Sequence, residues 1–243
     1  MAGMGARDRL IVALDVSTPE EARALVAKLG DAVGFYKIGL ELAMTGGLDL
    51  ARELVRAGKR VFLDMKLLDI ENTVERATRN AAAIGATFLT VHALDLKTLR
   101  AAMAGKAGTS LGILGVTVLT NLDAADLREQ GIAATAADLV ARRAGLARKA
   151  GCEGVVASGH EAASVRAVVG PTMAIVTPGI RLPGESAGDQ ARVATPEQAI
   201  AAGADYLVVG RPINGARNPA HAAEAFVRSI EAGLAKRTPA AVG

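Results

Sequence analysis

Eight short runs of β-branched and aliphatic residues recur along the chain, each followed by an Ala-rich segment in which apolar positions return at helical spacing. The runs span 10–15, 34–38, 60–64, 88–92, 111–117, 154–157, 174–177 and 206–210. They lie roughly thirty residues apart, the length that a strand, its helix and two turns require. Ser17, Thr18, Pro19, Glu20 and Glu21 offer an N-cap, an early-turn proline and first-turn acids, and Thr195, Pro196 and Glu197 repeat the device. Gly30, Gly58, Gly85, Gly151 and Gly203 fall where helices should stop. Alternating β and α elements imply a parallel sheet. Eight such units favour closure into a single (β/α)8 TIM barrel over an open, doubly wound α/β sheet.

No Pro-, Ser- or Gly-rich linker and no break in composition marks a second domain, so residues 1–243 read as one domain with frayed ends at 1–8 and 237–243. Apolar residues make up 51% of the chain and aromatics only 2%, with no Trp. The core is therefore expected to consist mainly of Ala, Val, Leu and Ile, which suits strands buried on both faces. Cys152 is the one cysteine, which excludes an internal disulfide framework and a CxxC-type zinc site. No apolar segment precedes the first strand, and no apolar run approaches the roughly 18 residues that span a bilayer. A soluble, cytoplasmic protein with no membrane partner is the expectation. A formal charge of +3 would suit nucleic acid, but Lys and Arg are scattered among acids with no aromatic interleaving. A small anionic ligand is the better expectation.

The charges at the strand ends change the picture most. The third run passes into Leu63-Asp64-Met65-Lys66-Leu67-Leu68-Asp69-Ile70, three charges within six residues. Alternate residues of a strand share a face, so Asp64 and Lys66 are expected on one side. The second run ends in Lys37-Ile38-Gly39 and the first in Leu14-Asp15. Adjacent strands thus deliver Asp15, Lys37, Asp64 and Lys66 to one rim. Taken singly, each charge is equally well explained by solvation or a structural ion pair. Four of alternating sign are costly to bury unless paired, and such arrays are retained for chemistry or binding. In that company Lys66 is expected as an ammonium, a proton donor rather than an amine nucleophile.

The loop 179–194 is the longest irregular stretch after a strand, and 121–134 is the next. Barrels build their sites from such loops at the C-terminal face, and often bind phosphate between the loops after strands seven and eight. Thr177-Pro178-Gly179-Ile180-Arg181 and Gly210-Arg211-Pro212-Ile213 stand there. Gly210 lets a ligand approach the backbone and Arg211 can grip phosphate oxygens in pairs, the alternative being a surface arginine at a helix start.

The segment DMKLLDIENT, residues 64–73, resembles the signature of orotidine 5′-monophosphate decarboxylases, D-x-K-x-x-D-I followed by Pro or Gly and then x-T. Glu71 departs from it, at a position where an acid still suits the first turn of a helix. The similarity continues in order through 11–15, 36–39, 91–93, 115–120, 176–181 and 209–213. It implies conversion of orotidine 5′-monophosphate to UMP without metal or other cofactor, Lys66 protonating C6 after CO2 departs. It further implies a catalytic set in which Asp64 orients Lys66 and Asp69 sits near the departing carboxylate. Lys37 belongs to that set and, with Asp15, holds the ribose hydroxyls. Thr120 would contact the pyrimidine, and Gln190 and Arg211 the phosphate, with Arg181 beside them. In this family Asp69, Ile70 and Thr73 enter the partner's site, so a homodimer with shared active sites is expected. His92 is expected near the rim without an assigned role, and His160 and His221 on surface or helix positions. Two other readings stay open. A magnesium-dependent 3-keto-hexulose-phosphate decarboxylase or synthase on the same barrel would use Asp15 or Asp64 as metal ligands. A non-catalytic nucleotide-binding barrel would be expected to carry a broken array.

Overall fold

The computed structural model describes residues 4–184 and 194–237. Eight strands, β1 Leu10–Ala13, β2 Phe35–Ile38, β3 Arg60–Leu67, β4 Phe88–His92, β5 Gly112–Val116, β6 Gly154–Val156, β7 Ala174–Thr177 and β8 Tyr206–Val209, form a closed parallel barrel. Each pairs with its successor, and β8 returns to β1 through Leu10, Ile11 and Val12 opposite Leu207, Val208 and Val209. The helices Pro19–Leu29, Leu48–Arg56, Glu71–Ile84, Leu96–Gly105, Ala136–Ala150, Ala162–Val169, Pro196–Ala201 and Pro219–Lys236 follow the strands in turn. Among the described residues no helix is long and apolar enough to cross a membrane.

Alternation along the strands sorts the core into two layers. Val12, Tyr36, Ile38, Val61 and Leu63 face outward and pack under the helices, whereas Ile11, Ala13, Phe35, Phe62, Leu114 and Val208 fill the barrel. Because both faces are buried, the strands read as continuous apolar runs rather than as alternating ones. The outer layer is the aliphatic core that the composition leads one to expect. The interior is not: four of the chain's six aromatic residues, Phe35, Phe62, Phe88 and Tyr206, meet inside it. Phe88 and Tyr206 lie 5.3 Å apart edge to face, and the Arg60 guanidinium lies 4.5 Å over Phe35. Wide side chains are what the barrel axis demands, since it must be filled from several strands at once.

The helix signals act as their chemistry dictates. Thr18 Oγ1 accepts from the Glu21 amide, and Thr195 forms a capping box with Gln198 ahead of Pro196. Gly85 and Gly151 end their helices at φ 86° and 83°, in the left-handed region that glycine occupies without penalty. Gly105 answers a different need, because a Cβ there would collide with the Glu75 carbonyl where the third and fourth helices cross. The segment 121–134 is not wholly irregular. It carries the short helix Ala124–Glu129, capped reciprocally by Asp123 and Asp126, which the sequence hides because only Leu127 is buried. Two strand ends also shift by more than one residue. β1 stops at Ala13, leaving Asp15 in the loop, and β3 runs on past Asp64 to Leu67.

At the opposite end of the barrel from these strand ends, one carboxylate ties the layers together. Asp205, 2% exposed, accepts from the Ile175 amide at 3.0 Å, from Arg166 at 2.5 Å and from Arg237 at 3.2 Å, while Arg9 donates to its carbonyl at 3.1 Å. It thereby joins β7 and β8 to the sixth helix, the first turn and the end of the last helix. Asp205→Ala removes a buried carboxylate and leaves the buried Arg9 and the partly buried Arg166 and Arg237 without their counter-charge, so unfolding in urea should show a loss of about 3–5 kcal/mol. Asp49→Ala, which removes an exposed pair with Arg52, should move the midpoint little. Similar small shifts for both variants would show that the arginines need no carboxylate there.

Candidate active site

The site is built on an irregularity in β3. Leu63 pairs with Leu89 and Leu67 with Val91, so four steps along β3 match two along β4. The surplus bulges, and it carries Asp64, Met65 and Lys66. Lys66 takes φ 49°, and among the described residues it is the one non-glycine residue with positive φ. Such a conformation costs on the order of 1–3 kcal/mol and persists where surrounding contacts hold it. Asp64 and Lys66 do meet on one side of the strand, but through this bulge rather than through regular alternation. Bulges of this kind re-aim side chains.

The charged side chains form a chain from the loop after β1 through β2 to β3. Lys37 Nζ lies 2.8 Å from Asp15 Oδ1 and 3.7 Å from Asp64 Oδ2, and Lys66 Nζ lies 2.9 Å from Asp64 Oδ1. Lys37 and Asp64 are largely buried, whereas Asp15 is half exposed at the rim. Burial pushes the Asp64 carboxyl up. The charges of Lys37 and Lys66, with hydrogen bonds from Lys66 and Thr90, outweigh it and hold the group below the ordinary carboxylate range. Gly39 leaves room for the first pair, since a Cβ there would stand 3.1 Å from Lys37 Nζ and 3.3 Å from Asp15 Oδ1.

These four residues line one wall of a cavity of about 520 Å³ at the C-terminal end of the barrel. Val116, Val118, Leu119, Val156, Ala157 and Pro178 supply an apolar wall from β5 to β7, and Thr120 stands beside them. Gly179, Arg181, Gly210 and Arg211 close the side between β7 and β8. Arg211 opens the short helix Arg211–Asn214, which Asn214 Nδ2 fastens to the Ala13 carbonyl at 2.8 Å. A Cβ on Gly210 would stand 3.6 Å from Asp15 Oδ2, so the side that carries Arg211 and the charged wall adjoin across the seam between β8 and β1.

Of the residues singled out by sequence, Asp15, Lys37, Asp64, Lys66, Thr120, Arg181, Gly210 and Arg211 therefore share one cavity. Asp69, Ile70 and Thr73 do not line it. All three are exposed at the entry to the helix Glu71–Ile84, with Asp69 Oδ1 accepting from the Ile70 amide at 2.6 Å. Glu71 is the first residue of that helix, where its charge suits the N-terminus. Gln190 lies outside the described residues. His92 ends β4, its pKa lowered by burial and by the charges of Lys66 and Arg143, while His160 and His221 are exposed. Sequence reasoning missed the apolar wall, Asn214 and Thr90. Thr90 was legible only as a polar residue within the apolar run Phe88–His92. Among the described residues no three His, Cys, Asp or Glu side chains gather to hold a metal ion.

Comparison with known proteins agrees with this architecture. A solved orotidine 5′-phosphate decarboxylase from Lactobacillus acidophilus superposes with a TM-score of 0.82 at 36% identity, over 91% of this chain and 98% of its own. The proteins named orotidine 5′-phosphate decarboxylase of Methylorubrum extorquens and a Bradyrhizobium species are 57% and 55% identical over 93% and 94% of this chain, covering 96% and 94% of their own. The family model described as "Orotidine 5'-phosphate decarboxylase / HUMPS family" matches residues 8–226, and with relatives of that identity and coverage the chain belongs to this family.

Proposed function

We propose that this chain is a carboxy-lyase that converts orotidine 5′-monophosphate to UMP and CO2 without metal or cofactor, Lys66 supplying the proton to C6. The observation that carries this reading is the unbroken array from Asp15 through Lys37 and Asp64 to Lys66, set against an apolar wall. The names of the relatives agree with it. Both carboxylates that a metal would need are already paired with lysine ammonium groups, which favours the metal-free form of the reaction.

The chemistry follows from the charges. The C6–carboxylate bond breaks, its electron pair stays on C6, and the pyrimidine offers no conventional sink for it. Stabilisation must then be electrostatic, and an ammonium held at C6 both offsets the developing charge and delivers the proton that completes UMP. Lys66 recovers its proton from solvent. Asp64 aims Lys66, while Lys37 and Asp15 hold the ribose hydroxyls. Arg211, Arg181 and Gln190 take the phosphate, and Thr120 takes the ring.

Asp69, Ile70 and Thr73 enter this scheme from a second copy of the chain. The exposed apolar side chains of Leu40, Met44, Leu48, Leu68, Ile70 and Leu94 support such a homodimer. They follow the ends of the adjacent strands β2, β3 and β4, so they form the rim beside the charged wall, and exposed apolar groups so concentrated mark interaction surfaces.

Loss of orotidine monophosphate absorbance in EDTA-treated buffer is the direct test, and turnover that vanishes on chelation would return the magnesium-dependent reading. Lys66→Ala should abolish turnover while UMP still binds, and Lys66→Arg should fail as well, because a guanidinium is a poor proton donor at neutral pH. Mixing inactive Lys66→Ala with inactive Asp69→Ala subunits should restore about a quarter of the wild-type activity, since one site of each hybrid dimer carries neither lesion. No recovery despite demonstrated subunit exchange would count against a shared site. Arg211→Ala should cost about 2–3 kcal/mol, roughly 30- to 160-fold in kcat/KM, for the nucleotide but little for the nucleoside orotidine. Phosphite should accelerate orotidine turnover by the wild type and do so poorly in that variant. Equal losses for both substrates would remove phosphate binding from Arg211.

A further inference from the structure

We propose that Thr90 is the positioning residue of this site, its single hydroxyl holding the β3 bulge in the shape that aims Lys66 and Asp64 into the cavity. Only the kinetic consequence of this role rests on the decarboxylase reading. Thr90 lies on β4 between Leu89 and Val91, the two residues that pair with Leu63 and Leu67, and so it is the β4 residue that faces the bulge. It is fully buried. Its Oγ1 accepts from the Lys66 amide at 2.9 Å and donates to Asp64 Oδ1 at 2.9 Å. Asp64 Oδ1 also accepts from Lys66 Nζ at 2.9 Å, which closes a ring from the Lys66 backbone through Thr90 and Asp64 to the Lys66 side chain.

That ring explains why a lysine, rather than a glycine, holds φ 49° in a strand. The bulge removes the amide of Lys66 from the regular ladder, and the Thr90 hydroxyl takes the place of the missing carbonyl. Loss of the hydroxyl takes the partner from the Lys66 amide and one donor from Asp64. Thr90 does not line the cavity, which confines its effect to the geometry of residues that do. A hydroxyl acting in this way should influence the chemical step and leave ligand binding nearly unchanged.

Thr90→Val keeps the branched shape and removes both hydrogen bonds, Thr90→Ala removes them with less bulk, and Thr90→Ser retains them. The Val and Ala variants should lose about 10- to 100-fold in kcat with KM and UMP affinity within about twofold, and the Ser variant should stay near wild type. Hydrogen exchange supplies a readout independent of turnover. The Lys66 amide should be protected in the wild type and in Thr90→Ser, and should exchange at least about tenfold faster in Thr90→Val or Thr90→Ala while the Leu63 and Val91 amides do not change. An unprotected Lys66 amide in the wild type would overturn the proposal, as would wild-type kcat in Thr90→Val or equal impairment of the Ser and Val variants. If the wild type fails to decarboxylate orotidine monophosphate, the functional reading falls, and the Lys66 amide alone then decides the role of Thr90. If Val does not fold, the comparison of Ala with Ser carries the same decision.

Discussion

Asp64 stands between two ammonium groups, and the arrangement of the whole charged wall depends on that bridge. Its Oδ1 holds Lys66 and its Oδ2 faces Lys37, which in turn reaches Asp15. A carboxylate so placed could not remain ionised in a buried position by itself, because desolvation opposes it. The two lysines supply the compensation, and the carboxylate supplies theirs. Each charge is therefore tolerated because the others are present, which makes the array cooperative and its ionisation a property of the set rather than of one member.

The barrel separates this burden from the work of folding. At the strand N-terminal ends, Asp205 and its arginines fasten strands to helices, and the aromatic cluster of Phe35, Phe88 and Tyr206 fills the axis. At the C-terminal ends the strands carry charge, a bulge and a backbone conformation that costs free energy. A rim of this kind is sustained by a scaffold that is over-determined elsewhere. The apolar wall from β5 to β7 serves the same division. It gives the cavity a side of low polarity opposite the charged wall.

Much of this was determined by sequence alone. The period of β-branched runs and helical segments gave eight parallel units, because a strand buried on both faces and an amphipathic helix leave different apolar periods. Asp15, Lys37, Asp64 and Lys66 were legible as one set because charges directly after apolar runs must lie at strand ends, and parallel strands bring those ends to one rim. Arg211 and Gly210 followed from the same rule applied to β8. Only the tertiary structure decided how these residues meet. The bulge in β3 depends on register against β4, which no local pattern encodes, and Thr90 acquires its part only from facing that bulge. Asp69 reads in sequence as continuous with the charged set, yet within one chain it stands outside the cavity together with Ile70 and Thr73, since the turn into the helix Glu71–Ile84 carries them away from it. The concentration of scarce aromatics on the axis and the burial of Asp205 among arginines are likewise properties of closure. Residues far apart in the chain become neighbours there only when β8 pairs with β1 and the sheet has no edge.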